Sequence, residues 1–443
     1  MARLLSIGAG HVGLPLSLKF WSVGHHVDLV DIDAAKIDAL SAGRMPFLEE
    51  GCAGVLSDAA HDPRFQPMTY ADIRFAEAVA AADYIVMTLG TPLGGDYTFR
   101  FDQYFDVLVR IVPLLSRGVT LVVRSTVAPL FTRNVVTARI AAERDWIPGT
   151  DFFPTFCPER LMQGSALQDI DDLPEIIGAD DEESARRAEA LFLSLGDHKR
   201  CLRLTTVEAE LGKLFLNTYR YTLFGLANEF ALTAEQYGAD IFNILTAANE
   251  AYPRGGIPRP GPSRGPCLGK DTAALAFSTP GGLIAHAALK TNENLVLHAA
   301  TDLRAALGTF AHKRVAVLGL AFKADTDDVR DNLTHPLVNL LEREGATTVV
   351  YDPLVPGYDD SAVLASCDAI VLMTAHSVFR SWREEELLWL CARPRDEVFV
   401  FDLWNIWPWA DRIFGKGTDD HYEDPGHGGE RLAHARGDSA ASV

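Results

Sequence analysis

Short apolar runs alternate with helical stretches at both ends of this 443-residue chain. Continuous apolar runs bounded by turn residues are typical of strands buried in a parallel sheet. They occur at 4–7, 26–30, 83–88, 119–124 and 153–158, and again at 314–319, 347–352, 367–374 and 398–402. The pattern predicts an α/β protein with two doubly wound sheets, one near each end of the chain.

The middle of the chain differs, because two long helical stretches flank an irregular loop. Residues 207–238 keep a helical pattern whose only breakers are Gly212 and Gly225, and 282–307 form the second stretch. At 1.5 Å per residue the first helix would be about 45 Å long, which exceeds the width of one domain. We therefore expect a helical region that joins the two sheets and leaves apolar surface for a partner subunit.

The turn after the first predicted strand is Gly8-Ala-Gly10-His-Val-Gly13. Its glycines allow close backbone approach to a pyrophosphate, whose charge the following helix N-terminus favours. Asp31 ends the second strand and is placed to bond both hydroxyls of an adenosine ribose, and its charge would repel a 2′-phosphate. The pattern predicts a Rossmann domain that binds NAD in preference to NADP. The alternative is a glycine turn with a structural role alone.

Polar residues follow the next predicted strands. Thr91 comes after the third run, Ser125 and Thr126 after the fourth, and Glu159 after the fifth. Ligands bind at the carboxyl ends of strands in an open α/β sheet, so these residues are candidates for cofactor or substrate contacts. A turn or capping role is an equally open interpretation of each hydroxyl. The acidic segment 169–174 is predicted to be a solvated loop.

A loop rich in proline, glycine and arginine, residues 249–266, leads into Cys267 at the start of another predicted helix. Helix N–H groups at such a junction favour a thiolate, which makes Cys267 a candidate nucleophile. The alternative is a cysteine that serves as a small hydrophobic residue. The guanidinium groups of Arg254, Arg259 and Arg264 on this loop would suit an anionic nucleotide diphosphate.

Lys213 and Asn217 lie one helical turn apart on the first long helix and share a face. A cation and an amide donor on one face would stabilise an oxyanion. The alternative is that both side chains are simply exposed to solvent.

The net charge and the positions of the cysteines indicate which binding partners and which cellular compartment to expect. The formal net charge of −20 argues against a nucleic-acid surface and against binding to anionic membranes. The six cysteines form neither a C-x-x-C pair nor a Cys/His cluster, which favours a reducing cytoplasm and no metal site. No uncharged apolar segment approaches the roughly 20 residues needed to span a bilayer.

The carboxyl-terminal sheet repeats the strand, turn and helix order without the three glycines. Its turn leads instead into Lys323-Ala-Asp-Thr-Asp-Asp-Val-Arg330. We expect this part to hold a nucleotide and not a second dinucleotide.

Taken together, these segments resemble the UDP-glucose/GDP-mannose dehydrogenase family over roughly residues 3–412. The matching segments are Gly8–Leu14, Ser125–Val127, Pro158–Leu161, Val207–Lys213, Asn217–Arg220, Asn228–Glu229, Gly265–Asp271, Ala321–Lys323, Asp328–Arg330 and Tyr351–Pro353. The resemblance implies NAD-dependent oxidation of the C6 alcohol of a nucleotide sugar to a carboxylate, in two hydride transfers.

The resemblance also implies roles for individual residues. Cys267 would attack the aldehyde to give a thiohemiacetal and then a thioester. Lys213 and Asn217 would stabilise the oxyanions. Asp271 would act in proton transfer with an ordered water and Lys213.

Further roles concern hydrolysis and binding. Glu159 would be the base for thioester hydrolysis, Thr126 a further water or substrate contact, and Arg254 would reach a neighbouring subunit's site. The predicted substrate-binding residues are Glu159, Arg160, Leu161, Lys213, Asn217, Arg254, Arg259, Arg264, Gly265, Lys270, Phe322 and Lys323. The predicted cofactor-binding residues are Gly8, Gly10, His11, Val12, Gly13, Asp31, Lys36, Thr91, Ser125, Thr126 and Arg330.

The predicted architecture is two Rossmann-like doubly wound domains joined by a long-helix central dimerisation region. The predicted domains are an NAD-binding domain at 1–200, the central domain with the cysteine loop at 201–308, a nucleotide-sugar-binding domain at 309–415 and a disordered tail at 416–443. We expect a cytoplasmic homodimer or higher homo-oligomer that serves polysaccharide biosynthesis.

UDP-glucose is the first expected substrate, and Arg264 and Gln163 depart from the family's usual residues in ways that bear on the sugar. UDP-N-acetylglucosamine, UDP-N-acetylmannosamine and GDP-mannose are the alternatives. A rival enzyme would leave the cysteine unused and stop at the aldehyde, or shuttle a hydride as an epimerase does. A different class would be a non-catalytic NAD- or nucleotide-sugar-binding regulator.

Overall fold

The computed structural model describes residues 1–278 and 282–417. Its first part is an eight-stranded sheet in the order β3-β2-β1-β4-β5-β6-β7-β8, parallel except where β6 meets β7. The strands are β1 Arg3–Ile7, β2 His26–Val30, β3 Phe65–Met68, β4 Tyr84–Met87, β5 Thr120–Val123, β6 Phe153–Phe156, β7 Glu175–Gly178 and β8 Cys201–Leu204. The helices are α1 Gly13–Ser22, α2 Ala34–Ser41, α3 Cys52–Ala59, α4 Phe75–Ala81, α5 Asp102–Ile111, α6 Ala138–Arg144, α7 Ala166–Asp172 and α8 Glu182–Leu193.

The order of the first six strands is that of a Rossmann sheet, so the carboxyl ends of β1 and β4 flank the point where the order reverses. Strands β1, β4 and β5 are almost entirely buried, which explains their continuous apolar sequences. This arrangement brings the glycine turn after β1 beside the polar residues that follow β4 and β5.

The predicted solvated loop at 169–174 is wrong, because most of this segment belongs to α7. Ala166 and Ile170 are buried on one face of this helix. Asp171 forms a 2.6 Å ion pair with Lys19 of α1, and Asp169 accepts a hydrogen bond from the Met162 N–H. These tertiary contacts stabilise a short helix whose acidic sequence suggested a loop.

The central part consists of α9 Thr206–Gln236, α10 Ile241–Asn249, α11 Leu268–Ser278 and α12 Leu283–Leu307. Thr205 and Glu208 form a capping box that fixes the start of the 31-residue α9. Helices α9 and α12 pack closely, since a side chain at Gly225 would lie 3.2 Å from the Ala288 backbone. Asn228 and Asn292 hydrogen bond between these helices at 2.9 Å.

The third part is a five-stranded parallel sheet in the order β10-β9-β11-β12-β13. Its elements are β9 Arg314–Leu318, α13 Thr334–Arg343, β10 Thr347–Tyr351, β11 Ala369–Leu372, α14 Ser377–Arg380, α15 Glu384–Cys391, β12 Phe399–Asp402 and β13 Arg412–Ile413. The predicted fold of two Rossmann-like domains joined by long helices is confirmed. Lys416 pairs with Asp240, and the Gly417 N–H donates to the Ala239 carbonyl oxygen at 2.9 Å, so the prediction of disorder is wrong for these two residues. Residues 418–443 of the predicted tail lie outside the described residues.

Candidate active site

In the glycine turn after β1, there is room for a side chain at Gly10 but not at Gly13. A Cβ on Gly13 would collide with the Gly8 carbonyl oxygen and the Thr88 hydroxyl. A Cβ on Gly10 would meet nothing within 4 Å. Gly13 therefore lets α1 begin against the turn, whereas the bare backbone at Gly10 faces a space that a pyrophosphate would fill.

Asp31 lies beside this turn and is buried. Its Oδ2 accepts hydrogen bonds from the Ala9 N–H at 2.8 Å and from Lys36 Nζ at 3.1 Å. Its Oδ1 accepts the Asp33 N–H at 3.0 Å. A carboxylate has about four acceptor directions and three are used here, so Asp31 can accept one ribose hydroxyl as it stands and a second if Lys36 moves aside. The turn and its acid fit an adenine dinucleotide.

His11 of the same turn links the first and third parts of the molecule. Its Nδ1 lies 3.0 Å from the Gln163 amide, and its Nε2 lies 3.9 Å from Asp328 Oδ2. Asp328 in turn holds Arg330 by a 2.6 Å ion pair. Burial lowers the pKa of His11, although the nearby Asp328 opposes that effect. The contacts bring Arg330, a predicted cofactor residue, towards the glycine turn. Val12, also a predicted cofactor residue, immediately precedes α1.

The polar residues after β4 and β5 meet at one edge of the sheet. Thr91 Oγ1 donates a 2.6 Å hydrogen bond to the Thr126 carbonyl oxygen, and Ser125 is buried beside them. The sequence predicts cofactor or substrate contacts at this edge.

Glu159 has contacts that the sequence did not indicate. Its Oε2 accepts a 2.7 Å bond from Arg124 Nε, and its Oε1 accepts the N–H groups of Arg160 and Leu161 at 2.6 and 2.8 Å. Arg124 also binds Glu175 at 2.8 Å, and all three charged side chains are buried. No hydrogen bond within residues 1–278 and 282–417 joins Glu159 to Cys267.

Cys267 immediately precedes α11, and four predicted catalytic residues meet there. The Asp271 carboxylate is fully buried and accepts bonds from Asn217 Nδ2 at 2.6 Å and Lys270 Nζ at 2.5 Å. The Asp271 N–H donates to the Cys267 carbonyl at 2.9 Å as the first turn of the helix forms. Lys213 lies close enough to influence the thiol electrostatically.

Cys267 is an exposed residue, but its sulfur lies close to many protein atoms. This desolvation raises the pKa of the Cys267 thiol, and the Asp271 carboxylate raises it further. Lys213, Lys270 and Arg330 act in the opposite direction. Burial and the Asp271 carboxylate prevail, so the neutral thiol is favoured here, and Lys213, Lys270 and Arg330 are the cations that would stabilise a thiolate.

A cavity of about 720 Å³ adjoins this cluster. Its walls come from the loop at 90–97, from α11 and α12, and from the third part of the chain. Thr91, Lys270 and Arg330 all line it. Predicted cofactor and substrate residues thus share one cleft beside Cys267.

Two predicted substrate residues of the third part reach the cysteine loop and the first sheet. The Phe322 ring fills the space where a side chain at Gly265 would stand. Lys323 Nζ donates a 2.8 Å bond to the Gln163 carbonyl, and burial lowers its pKa. Both residues therefore stand where the three parts meet.

The three loop arginines are not gathered into one cluster. The exposed Arg254 lies over the Tyr252 ring, and Arg259 lies over the Phe242 ring. Of the three, Arg264 alone has ion-pair partners within residues 1–278 and 282–417. Each side chain thus has a different neighbour, and a common site for an anionic diphosphate stays a prediction.

Family models match three consecutive parts of the chain. The NAD binding domain of the UDP-glucose/GDP-mannose dehydrogenase family matches residues 2–195, its central domain matches 207–293, and its UDP binding domain matches 316–408. The chain belongs to the UDP-glucose/GDP-mannose dehydrogenase family. It is an NAD-dependent oxidoreductase of the nucleotide-sugar dehydrogenase class, and the resemblance seen in the sequence is confirmed.

Similar proteins in this family carry different substrate names. UDP-N-acetyl-D-mannosamine dehydrogenase of Pyrococcus horikoshii is 31% identical over 396 residues, covering 87% of this chain and 92% of that protein. UDP-glucose 6-dehydrogenase of Bacillus subtilis is 30% identical over 365 residues, covering 79% of each. A solved UDP-D-ManNAc dehydrogenase structure from P. horikoshii superimposes with a TM-score of 0.85 at 28% identity, covering 94% of this chain and 99% of that one. The predicted preference for UDP-glucose gains no support from these similarities.

The family's NAD domain coincides with the sheet that bears Gly8–Gly13 and Asp31. Its UDP domain coincides with the sheet that bears Lys323. In this member of the dehydrogenase family, the candidate cleft therefore lies between the sheet of the NAD binding domain and the sheet of the UDP binding domain. Within the described residues, no helix combines the length and apolar character needed to cross a bilayer.

Proposed function

We propose that this dehydrogenase oxidises UDP-N-acetyl-D-mannosamine to the corresponding uronic acid at C6, with Cys267 as the nucleophile. The cluster of Cys267, Lys270, Asp271 and Asn217 at the start of α11 supports this chemistry most directly. The sugar is proposed from the printed names of relatives that match over most of the chain. UDP-glucose is the second candidate, from the relative that covers 79% of the chain.

The first oxidation turns the alcohol into an aldehyde. The Cys267 thiolate then adds to the aldehyde carbon, a C–S bond forms, and the carbonyl electron pair moves to oxygen to give a thiohemiacetal. Lys213 and Asn217 would stabilise that oxygen by charge and by hydrogen bonding. NAD, when bound, accepts a hydride in each of the two oxidations.

The second oxidation leaves a thioester on Cys267. Water adds to the acyl carbon, and the C–S bond breaks to release the carboxylate and the thiolate. Glu159 remains the proposed base for this step, and its Oε2 accepts a 2.7 Å bond from Arg124 Nε. Asp271, bonded to Lys270 and Asn217, would hold the water and take part in proton transfer.

Substitutions at Cys267 and Glu159 test the assignment. C267S should stall before the acid is released, and C267A should not turn over. E159Q should release about two NADH per site in a fast phase and then slow, because hydrolysis of the thioester becomes limiting. Full turnover by C267A would refute the nucleophile, and steady turnover by E159Q would remove Glu159 from the mechanism.

A panel of UDP-, GDP- and dTDP-sugars, followed by NADH formation, would identify the substrate. Two NADH per sugar are expected with UDP-N-acetyl-D-mannosamine. One NADH per sugar would support an enzyme that stops at the aldehyde, and no net NADH with a changed sugar would support an epimerase. Absence of NADH formation with the whole panel would favour a binding regulator.

We also assign dimerisation to α9. Phe215, Tyr219 and Phe230 are exposed on this helix, with 54, 63 and 37% of their surface accessible. Large exposed aromatic side chains are typical of subunit interfaces. Light scattering should give twice the chain mass, and F215E/Y219E should reduce it; an unchanged mass would place the interface elsewhere.

A further inference from the structure

Arg264 lies three residues before Cys267 and binds carboxylates from two other parts of the molecule. Its Nε is 2.8 Å from Asp331 Oδ1, and its Nη1 is 3.0 Å from Glu293 Oε1. Asp331 belongs to the loop after β9, and Glu293 belongs to α12. One guanidinium therefore joins the cysteine loop to α12 and to the third part of the chain.

The main chain is joined at the same place. The Gly265 N–H donates a 3.0 Å bond to the Asp331 carbonyl oxygen. Gly265 has a φ of +110°, and the Phe322 ring leaves no space for a side chain there. Asp331 directly follows Arg330, one of the cations that lower the pKa of Cys267. The loop that Arg264 holds therefore also carries this cation.

The pairing makes Arg264 a poor ligand for an anionic substrate. It lines the 720 Å³ cavity together with Lys270 and Arg330. However, its N–H groups are directed at two carboxylates, whose charges exceed its own. These two bonds use two of the five guanidinium N–H groups, and the two carboxylates would repel a diphosphate that approached the other three.

We propose that Arg264 is a positioning residue that fixes Cys267 relative to the loop at 322–331. The thiol then meets a sugar whose nucleotide is held by that loop. This inference rests on the proposed role of Cys267 as nucleophile. It replaces the expectation from the sequence that Arg264 binds the substrate directly.

Measurements of kcat and of the Kd for the UDP-sugar in R264M distinguish positioning of Cys267 from direct binding of the substrate. We expect kcat to fall about tenfold or more, because small misplacements of a reacting group are costly, while the Kd for the UDP-sugar without NAD changes by less than about twofold. R264K, which can still pair with Asp331, should recover part of kcat. D331N should lower kcat in the same direction but by less, because R264M also removes the pair with Glu293, and the double variant should be no worse than R264M.

R203M is the matched control. Arg203 also binds two carboxylates, Glu182 and Glu189, on the surface of the first part. Its kcat and Kd should equal those of the wild type. Circular dichroism would verify folding, and if R264M does not fold, D331N carries the same measurements.

Two results would overturn the inference. A tenfold weaker UDP-sugar affinity with unchanged kcat would make Arg264 a substrate-binding residue, and unchanged values of both would leave it without a role. If the wild type forms no NADH with any sugar, the proposed function fails, but the Cys267 alkylation rate with iodoacetamide still tests the positioning. That rate should differ between wild type and R264M and not between wild type and R203M; equal rates in all three would refute the proposal.

Discussion

Alanine substitutions at two glycines of the same turn should have opposite consequences. In G13A the new methyl group would collide with the Gly8 carbonyl and the Thr88 hydroxyl, so the turn and α1 must separate. Overpacking of this kind typically costs about 1–3 kcal/mol. For a domain of this size that corresponds to a melting temperature roughly 2–12 °C lower, without any ligand present.

In G10A the methyl group would meet no protein atom within 4 Å. Its folded state should therefore be as stable as the wild type, or more stable by about 0.4–1 kcal/mol, because alanine restricts the unfolded chain. The methyl group would occupy the space for the pyrophosphate and remove about one or two charge-assisted hydrogen bonds of about 1.5–3 kcal/mol each. The Kd for NAD should therefore rise by about 10- to 100-fold or more.

Thermal unfolding without NAD and calorimetric titration with NAD would measure the two effects separately. G54A is the matched control. Gly54 lies in helix α3 of the same first part of the chain, and a Cβ there also meets nothing within 4 Å. G54A should bind NAD normally and be at least as stable as the wild type. The reasoning is refuted if G10A unfolds as easily as G13A, or if G10A binds NAD as the wild type does.

Three further predictions concern charged and titrating groups. D271N should lower the pKa of Cys267, since the carboxylate adds to the effect of burial, so iodoacetamide should react faster at pH 7 while turnover falls on the order of 100-fold. R124M should lower the free energy of unfolding by about 3–5 kcal/mol in urea, because it leaves buried acids unpaired, and R124M/E175Q should lose less. Burial lowers the pKa of His25, so its contribution to stability is complete above its unfolded pKa of about 6.5 and is lost as the pH falls below that value. H25F should show a smaller loss of stability between pH 7 and 5.

Features that depend on neighbours in sequence could be predicted. The turn Gly8–Gly13 and the segment Cys267–Asp271 each lie within one strand–turn–helix or loop–helix junction, where spacing fixes geometry. The sequence predicts Asp31 as the ribose-binding residue because Asp31 stands at the end of the strand that pairs with β1. For these residues the local backbone already decides which groups face the cleft.

Features that depend on distant partners could not be predicted. Arg124 ends an apolar run, but its acid Glu175 lies 51 residues further along the chain. Arg264 and its partner Asp331 are separated by 67 residues. A charged residue in the sequence shows that a partner is needed, not which carboxylate the fold brings to it.

Strand β3 was missed for a different reason. It lies at the edge of the first sheet, and only Phe65 and Met68 among its residues are buried. Pro67 interrupts its pattern, and proline is tolerated there because an edge strand needs fewer ladder donors. A short, half-exposed edge strand with a proline gives no continuous apolar run.

The first strand of each sheet is followed by a glycine that makes the same main-chain contact, but the acid beside that glycine differs in its surroundings. Gly8 donates to the Val30 carbonyl at 2.8 Å, and Gly319 donates to the Tyr351 carbonyl at 2.9 Å. The next residues on the second strands are Asp31 and Asp352, which therefore occupy equivalent positions.

The Asp352 carboxylate is enclosed by protein donors, whereas the Asp31 carboxylate can still accept a bond from a ligand. Asp352 is fully buried, and its Oδ2 accepts the N–H groups of Leu320 and Ala321 at 2.7 and 2.9 Å and lies 3.0 Å from His376 Nε2. Asp31 has only one of the turn's N–H groups and a movable lysine, so its carboxylate can bond a ribose. In the third part the fully buried His376 lies against this carboxylate. The same backbone plan thus leaves an acid available to a dinucleotide in the first sheet and an enclosed acid in the other, where we expect groups further along the loop, such as Lys323, to bind the nucleotide.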